Sequence, residues 1–157
     1  MRFFIAFAVV VMSVVGAPLV LAPAAEAAPW GACGTSTPES KLVRQFAVNA
    51  RSNYYLRCGN ANVGYRHIAA RHRLDFERLA AGTYMNWRDV ADLAMESIAR
   101  DPDVARPAGD GKGCLNRVIF LKNIRTNQVV RQQNIRMFVV LSTGDIITAY
   151  PDVRNCP

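Results

Sequence analysis

Ile135-Arg136-Met137-Phe138-Val139-Val140-Leu141-Ser142-Thr143-Gly144-Asp145-Ile146-Ile147-Thr148-Ala149-Tyr150-Pro151 reads as two strands and the turn that joins them. β-Branched and aromatic residues fill both runs, and the Ser-Thr-Gly-Asp between them is turn chemistry. Upstream, Val118-Ile119-Phe120-Leu121 and Val129-Val130 have the same character, with Thr126-Asn127-Gln128 as a second hairpin turn. The back of the chain is therefore expected to be an antiparallel meander. In its last run, alternation sets Ile146, Thr148 and Tyr150 on one side and Ile147 and Ala149 on the other. Two hydroxyls then share a face. Arg117, Lys122, Arg125, Arg131 and Arg136 lie in the same stretch. Cations on an open sheet face can grip phosphate, or simply guard a solvated edge against aggregation.

Ahead of residue 113 the period is helical. Thr37-Pro38-Glu39 has a cap residue followed by proline at the first helical position. Leu42, Val43, Phe46, Ala47 and Ala50 follow at helical spacing, which predicts a helix over 37–51. Residues 53–59 read as a short irregular or extended link. Asn62 is the expected cap of a second helix that runs to about His72, and Asp75–Leu79 reads as a further short turn of helix, ended at Gly82. Asn86-Trp87-Arg88-Asp89 caps a third, whose stripe is Trp87, Val90, Leu93, Ala94 and Ile98, closed by Asp101-Pro102. Residues 107–113, rich in glycine, read as a loop. Helices followed by strands imply an α+β fold, with N-terminal helices packed on one face of a C-terminal antiparallel β-meander.

Met1-Arg2, the apolar run from Phe3 to Val15 and the small-residue sites ending at Ala27 have the three-part form of a secretory signal peptide. Cleavage after Ala27 leaves residues 28–157 as a single domain, large enough for a core of its own. The leader carries one arginine and one glutamate, so the formal net charge stays at +7. That charge favours polyanions such as nucleic acid, anionic lipid or acidic glycans. Cys33, Cys58, Cys114 and Cys156 are an even set in an exported domain, which implies two disulfides with three pairings open. No spacing among them matches a zinc site, so neither a metal nor another cofactor is expected.

Gly64-Tyr65-Arg66-His67-Ile68-Ala69-Ala70-Arg71-His72-Arg73 holds the only two histidines of the chain. Histidine both takes and gives a proton near neutral pH, and arginine offers planar donors to phosphate. On a helix His67 and Arg71 share a face. His72 is turned about 140° from His67 at the usual twist, so both serve one site only if the helix unwinds near residue 72. His72 otherwise shares a face with Ile68, a core candidate, and cations in a last turn complement the helix dipole.

The order of these features resembles the barnase/EndoU/colicin/RelE-like superfamily of small ribonucleases, which includes many bacterial toxin domains. The resemblance spans roughly residues 60–152 and rests on His67-Ile68-x-x-Arg71-His72 and on Gly144-Asp145-Ile146-Ile147-Thr148-Ala149-Tyr150-Pro151. It implies metal-independent RNA cleavage by attack of the 2′-hydroxyl on the adjacent phosphate. Carried over, His67 is a general acid or base, Arg71 steadies the scissile phosphate, His72 is the second proton carrier, and Thr148 and Tyr150 complete the site. Lys122 and Arg136 are the RNA-binding candidates. The implied partners are RNA, tRNA among the candidate targets, and an immunity protein, with no stable membrane association once the leader is gone. The alternative from another class is a secreted, non-catalytic binding protein for nucleic acid or other anionic polymers on the same scaffold.

Overall fold

The computed structural model describes residues 30–50 and 52–157; the expected leader lies outside them. The order of elements is β1 (Leu42–Asn49), β2 (Ser52–Arg57), α1 (Gly64–Arg71), α2 (Arg73–Ala80), α3 (Trp87–Arg100), β3 (Val104–Pro107), β4 (Lys112–Lys122), β5 (Val129–Val140) and β6 (Ile146–Pro151). The fold is α+β. Among the described residues three helices accompany two antiparallel sheets: the β1–β2 hairpin, and a meander in the order β3-β4-β5-β6.

The front of the chain is strand, not the helix expected over 37–51. Leu42 pairs with Arg57 and Arg44 with Leu56, which leaves Val43 as the extra residue of a β-bulge. The bulge turns Val43 inward with Phe46, so two buried side chains stand three residues apart and imitate helical spacing. Thr37 serves a turn, its Oγ1 accepting the Gly34 N–H at 3.0 Å. The expected link at 53–59 is largely β2. The Asn62 cap is also replaced: Val63 precedes α1 with no side-chain cap, and the Asn62 N–H is bonded to Asn60 Oδ1 at 2.9 Å.

α3 forms where its cap was read. Asn86 Oδ1 accepts the Arg88 and Asp89 N–H groups at 2.8 and 3.2 Å, and Asp89 reaches back to the Asn86 N–H. Its buried stripe, Val90, Ala91, Ala94, Met95 and Ile98, belongs to one cluster with Leu115, Ile119, Leu121, Ile135 and Met137 of the meander. Each large side chain sealed there contributes about 1.5–3 kcal/mol. β5 runs unbroken through Gln132-Gln133-Asn134, which separated two runs in the sequence reading. Direct pairing of Gln132 with Phe120 and Asn134 with Val118 carries the strand across residues of low propensity. β3 and the start of β4 take up both ends of the expected 107–113 loop, pairing Pro107 with Gly113.

A second bulge decides the site. Phe138 pairs with Thr148 but Val139 with Ile146, so Ile147 is the extra residue. Simple alternation grouped Ile146 with Thr148 and Tyr150. The bulge instead puts Ile146 in the core with Ala149. Thr148 and Tyr150 stay together on the opposite face, where their cross-strand partners Phe138 and Arg136 also point.

Of the three cysteine pairings, the structure has Cys33–Cys58 and Cys114–Cys156, each with Cα atoms 5.7 Å apart. Among the described residues no helix is long and apolar enough to cross a membrane.

Candidate functional site

The histidine-bearing helix is fixed at its start by backbone packed on backbone. Gly59 and Gly64 both adopt positive φ, +60° and +76°. A Cβ on Gly59 would lie 2.0 Å from the Val63 carbonyl oxygen, and one on Gly64 would lie 2.7 Å from that of Arg57. Only glycine fits either position. Arg66 then clamps the helix to the preceding segment, donating to the Gly59 and Gly34 carbonyls, each at 2.7 Å. Cys33–Cys58 ties the same two segments covalently. Arg66 is thus a structural arginine. Arg73 is also engaged, with Glu77 at 2.6 Å. Arg71 is exposed and makes no ion pair among the described residues.

The helix does unwind at His72. α1 ends at Arg71, α2 begins at Arg73, and His72 between them has φ −122° and ψ −1°. The break cancels the rotation that a continuous helix imposes. The His67 and His72 rings meet edge to face with centroids 5.4 Å apart. His72 in turn stacks on Tyr150 at 4.8 Å and 23°, and Tyr150 lies nearly parallel to Phe138 at 6.3 Å. α1 and α2 both lie against β6, which brings the helix break to the end of that strand.

The hydrogen bonds assign the ring nitrogens. His67 Nδ1 is 2.8 Å from the Ala61 carbonyl oxygen. A carbonyl only accepts, so Nδ1 carries hydrogen and Nε2 is the nitrogen left for chemistry. His72 Nδ1 lies 3.5 Å from Asp75 Oδ2. Burial holds the His72 pKa below its ordinary value, and the charges of His67 and Arg71 push the same way against the pull of Asp75. His72 is therefore a neutral base at neutral pH.

Thr148 Oγ1 is buried with no hydrogen-bond partner among the described residues. An orphaned buried hydroxyl costs about 1–3 kcal/mol. Of the two RNA-binding candidates, Arg136 lies beside this cluster but is covered. It is 8% exposed, its guanidinium sits 5.1 Å from the Phe138 centroid and 5.9 Å from that of Tyr150, and it is paired with Asp152 at 2.9 Å. Lys122 is exposed at the far end of β4. It stands six residues beyond Asn116, the partner of Arg136, or about 20 Å at the usual strand rise, and does not join the site.

No protein-family model matches this chain, and no curated protein is significantly similar to it.

Phe138, Asp152 and Asn116 escaped the sequence reading. Phe138 alternates with Arg136 in the first run of the hairpin, and only the register opposite Thr148 reveals its place beside Tyr150. Among the described residues no group of three His, Cys, Asp or Glu side chains converges as a metal ion would require. The arrangement offers two proton carriers in contact, an aromatic backing that holds one of them, an unpaired cation next to it, and a hydroxyl without a partner.

Proposed function

We propose that the protein is a secreted ribonuclease, of the kind found among bacterial toxins, in which the two histidines are the proton carriers. The observation that carries this reading is the contact of the chain's only two histidines with each other and, through His72, with Tyr150. Neutral His72 takes the proton of the 2′-hydroxyl as its oxygen attacks the adjacent phosphorus. His67 Nε2 returns a proton to the departing 5′-oxygen, leaving a cyclic phosphate end and a 5′-hydroxyl. Arg71 and the Thr148 hydroxyl supply donors to the phosphorane oxygens. Tyr150 holds the plane of the His72 ring by stacking. The net charge of +7 draws the polyanionic substrate, tRNA being one candidate. Two disulfides and the signal-like leader support export, and an immunity protein would guard a producing cell.

Incubation of the purified protein with total RNA in excess chelator tests the proposal. Cleavage is expected to persist with chelator and to fall by about 10²–10⁴-fold in His67→Ala. The net charge of +7 also supports one other reading, a non-catalytic binding protein for nucleic acid or other anionic polymers on the same scaffold. Intact RNA with tight, salt-sensitive binding would identify it.

A further inference from the structure

We infer that residues 152–156 form a strap which closes an anion site at Arg136, and that the Cys114–Cys156 disulfide keeps it shut. The substrate named for this site, the phosphate of an RNA strand, rests on the ribonuclease reading.

Past β6 the chain leaves the sheet edge and crosses the face that carries Arg136 and Tyr150. The Asp152 N–H donates to the Asn134 carbonyl at 3.1 Å, continuing the ladder by one residue. Asn134 Nδ2 then donates to the Arg154 carbonyl at 2.9 Å. On β4, Asn116 receives the Cys156 N–H at 2.9 Å and donates to Asn155 Oδ1 at 3.3 Å. Cys156 finally bonds to Cys114 on the same face. Asn116 is 1% exposed, so a core amide is satisfied largely by the strap that covers it.

What the strap covers is a guanidinium whose anionic partner is a carboxylate of the strap itself. Asp152 accepts from the Arg136 guanidinium at 2.9 Å, the position where a phosphate oxygen would accept from the same planar fork. The other occupants are poor. Arg136 Nη2 has only Cys114 Sγ, at 3.9 Å. Among the described residues two buried polar atoms have no partner, Arg136 Nε and Thr148 Oγ1, and both lie on the face the strap crosses. A phosphate held by Arg136 would accept from Nε as well as from the outer nitrogens.

Beyond the disulfide, the strap is held by the Arg136–Asp152 pair and by hydrogen bonds to Asn116, Gln133 and Asn134. Val153 is 92% exposed, Arg154 and Asn155 are exposed, and the apolar surface it seals is that of Cys156. Water can replace its hydrogen bonds, and phosphate its carboxylate, once the covalent tie is cut. Reduction cuts it: two equivalents of a small thiol deliver two electrons and two protons, the Sγ–Sγ bond breaks, Cys114 and Cys156 become thiols, and the reductant leaves as its disulfide. The strap then swings away, and Arg136 exchanges Asp152 for phosphate.

The test uses a fluorescent single-stranded 2′-O-methyl oligoribonucleotide, which lacks the attacking hydroxyl and reports binding alone. Cys114→Ser/Cys156→Ser opens the strap without disturbing Cys33–Cys58, and Cys114→Ala/Cys156→Ala does so without placing a hydroxyl at buried residue 114; Asp152→Asn removes the competing carboxylate but leaves the strap shut. Each cysteine variant is expected to bind about tenfold more tightly than wild type at equal salt, Asp152→Asn to stay within about twofold of wild type, and Arg136→Met in either cysteine background should return the affinity to the wild-type level. Circular dichroism establishes which variants are folded. The inference stands if a folded cysteine variant tightens and Arg136→Met cancels the gain. It is overturned if no folded cysteine variant tightens, if the gain survives Arg136→Met, or if Asp152→Asn tightens as much with the disulfide intact. Cleavage of unmodified RNA is scored separately. Tighter binding with no cleavage by any form would remove the ribonuclease reading and leave the strap; cleavage with unchanged binding would do the reverse.

Discussion

Replacing Asp152 with alanine strands the Arg136 guanidinium inside the protein. Both side chains of the pair are 9% exposed, and the partner left to Arg136 is a sulfur at 3.9 Å. Removing one member of a buried pair costs about 3–5 kcal/mol. The lower end applies here, because a loosened strap admits water. The Arg154 bond to Asp152 is lost as well, but Arg154 is exposed and adds less than about 1 kcal/mol. A loss of about 3 kcal/mol, at a urea dependence of about 2 kcal/mol/M, lowers the unfolding midpoint by about 1.5 M. Arg136→Met/Asp152→Ala has no stranded charge and should recover most of that loss, giving a strongly non-additive cycle. The pH dependence is a second reading of the same pair. Bonds from Arg154 first, and then Arg136, hold the Asp152 carboxyl well below the usual carboxylate range. Its contribution is complete above the unfolded pKa of about 3.9 and is lost as pH falls through the folded value. The gap between wild type and Asp152→Ala should therefore stay constant from pH 5 to 8 (about three units of range) and narrow only in stronger acid. A midpoint within about 0.2 M of wild type, or an additive double mutant, would show that Arg136 is solvated and would refute the reasoning.

Three further outcomes are expected. His72→Phe keeps an aromatic ring on Tyr150 but carries no proton, so RNA cleavage should fall by about 10²-fold or more while the fold survives. Because the folded His72 pKa is lowered, the unfolded chain takes up that proton first. Wild-type stability should be complete above about pH 6.5 and decline as pH falls through the folded value; thermal melts of His72→Phe should lack that component. Thr148→Val removes an unpartnered buried hydroxyl, so the melting temperature should hold or rise as cleavage falls, and a parallel loss of both would count against its role. Gly59→Ala meets a carbonyl oxygen at 2.0 Å and a positive φ. It should cost about 3 kcal/mol or more, visible as a lost or strongly lowered thermal transition.

The meander and α3 were legible because their signals are local: turn residues between β-branched runs, and an Asn–Asp capping box ahead of an apolar stripe. β1 was not, because one bulged valine converts a strand's period into a helix's. The same physics moved Ile146 into the core. The end of α1 near His72 and a separate helical turn after it were also read, but the meeting of the two histidine rings had no local signal. Its cause is tertiary. Ile68 and Phe76 are both fully buried, and a continuous helix would set them about 80° apart around its axis. The strap was illegible for a different reason: its meaning depends on which cysteine pairs with Cys156 and on the buried amide of Asn116 beneath it.

The break at His72 inverts a common expectation of protein engineering. α1 and α2 are eight residues each, too short to persist without their packing. Substitutions that favour a single continuous helix across residues 69–75, stabilising in most settings, would here turn Ile68 or Phe76 out of the core and lower the melting temperature. They would also rotate His72 off Tyr150 and away from its neighbour. Selection for heat resistance alone should therefore keep the break, and with it the stacking of His72 on Tyr150.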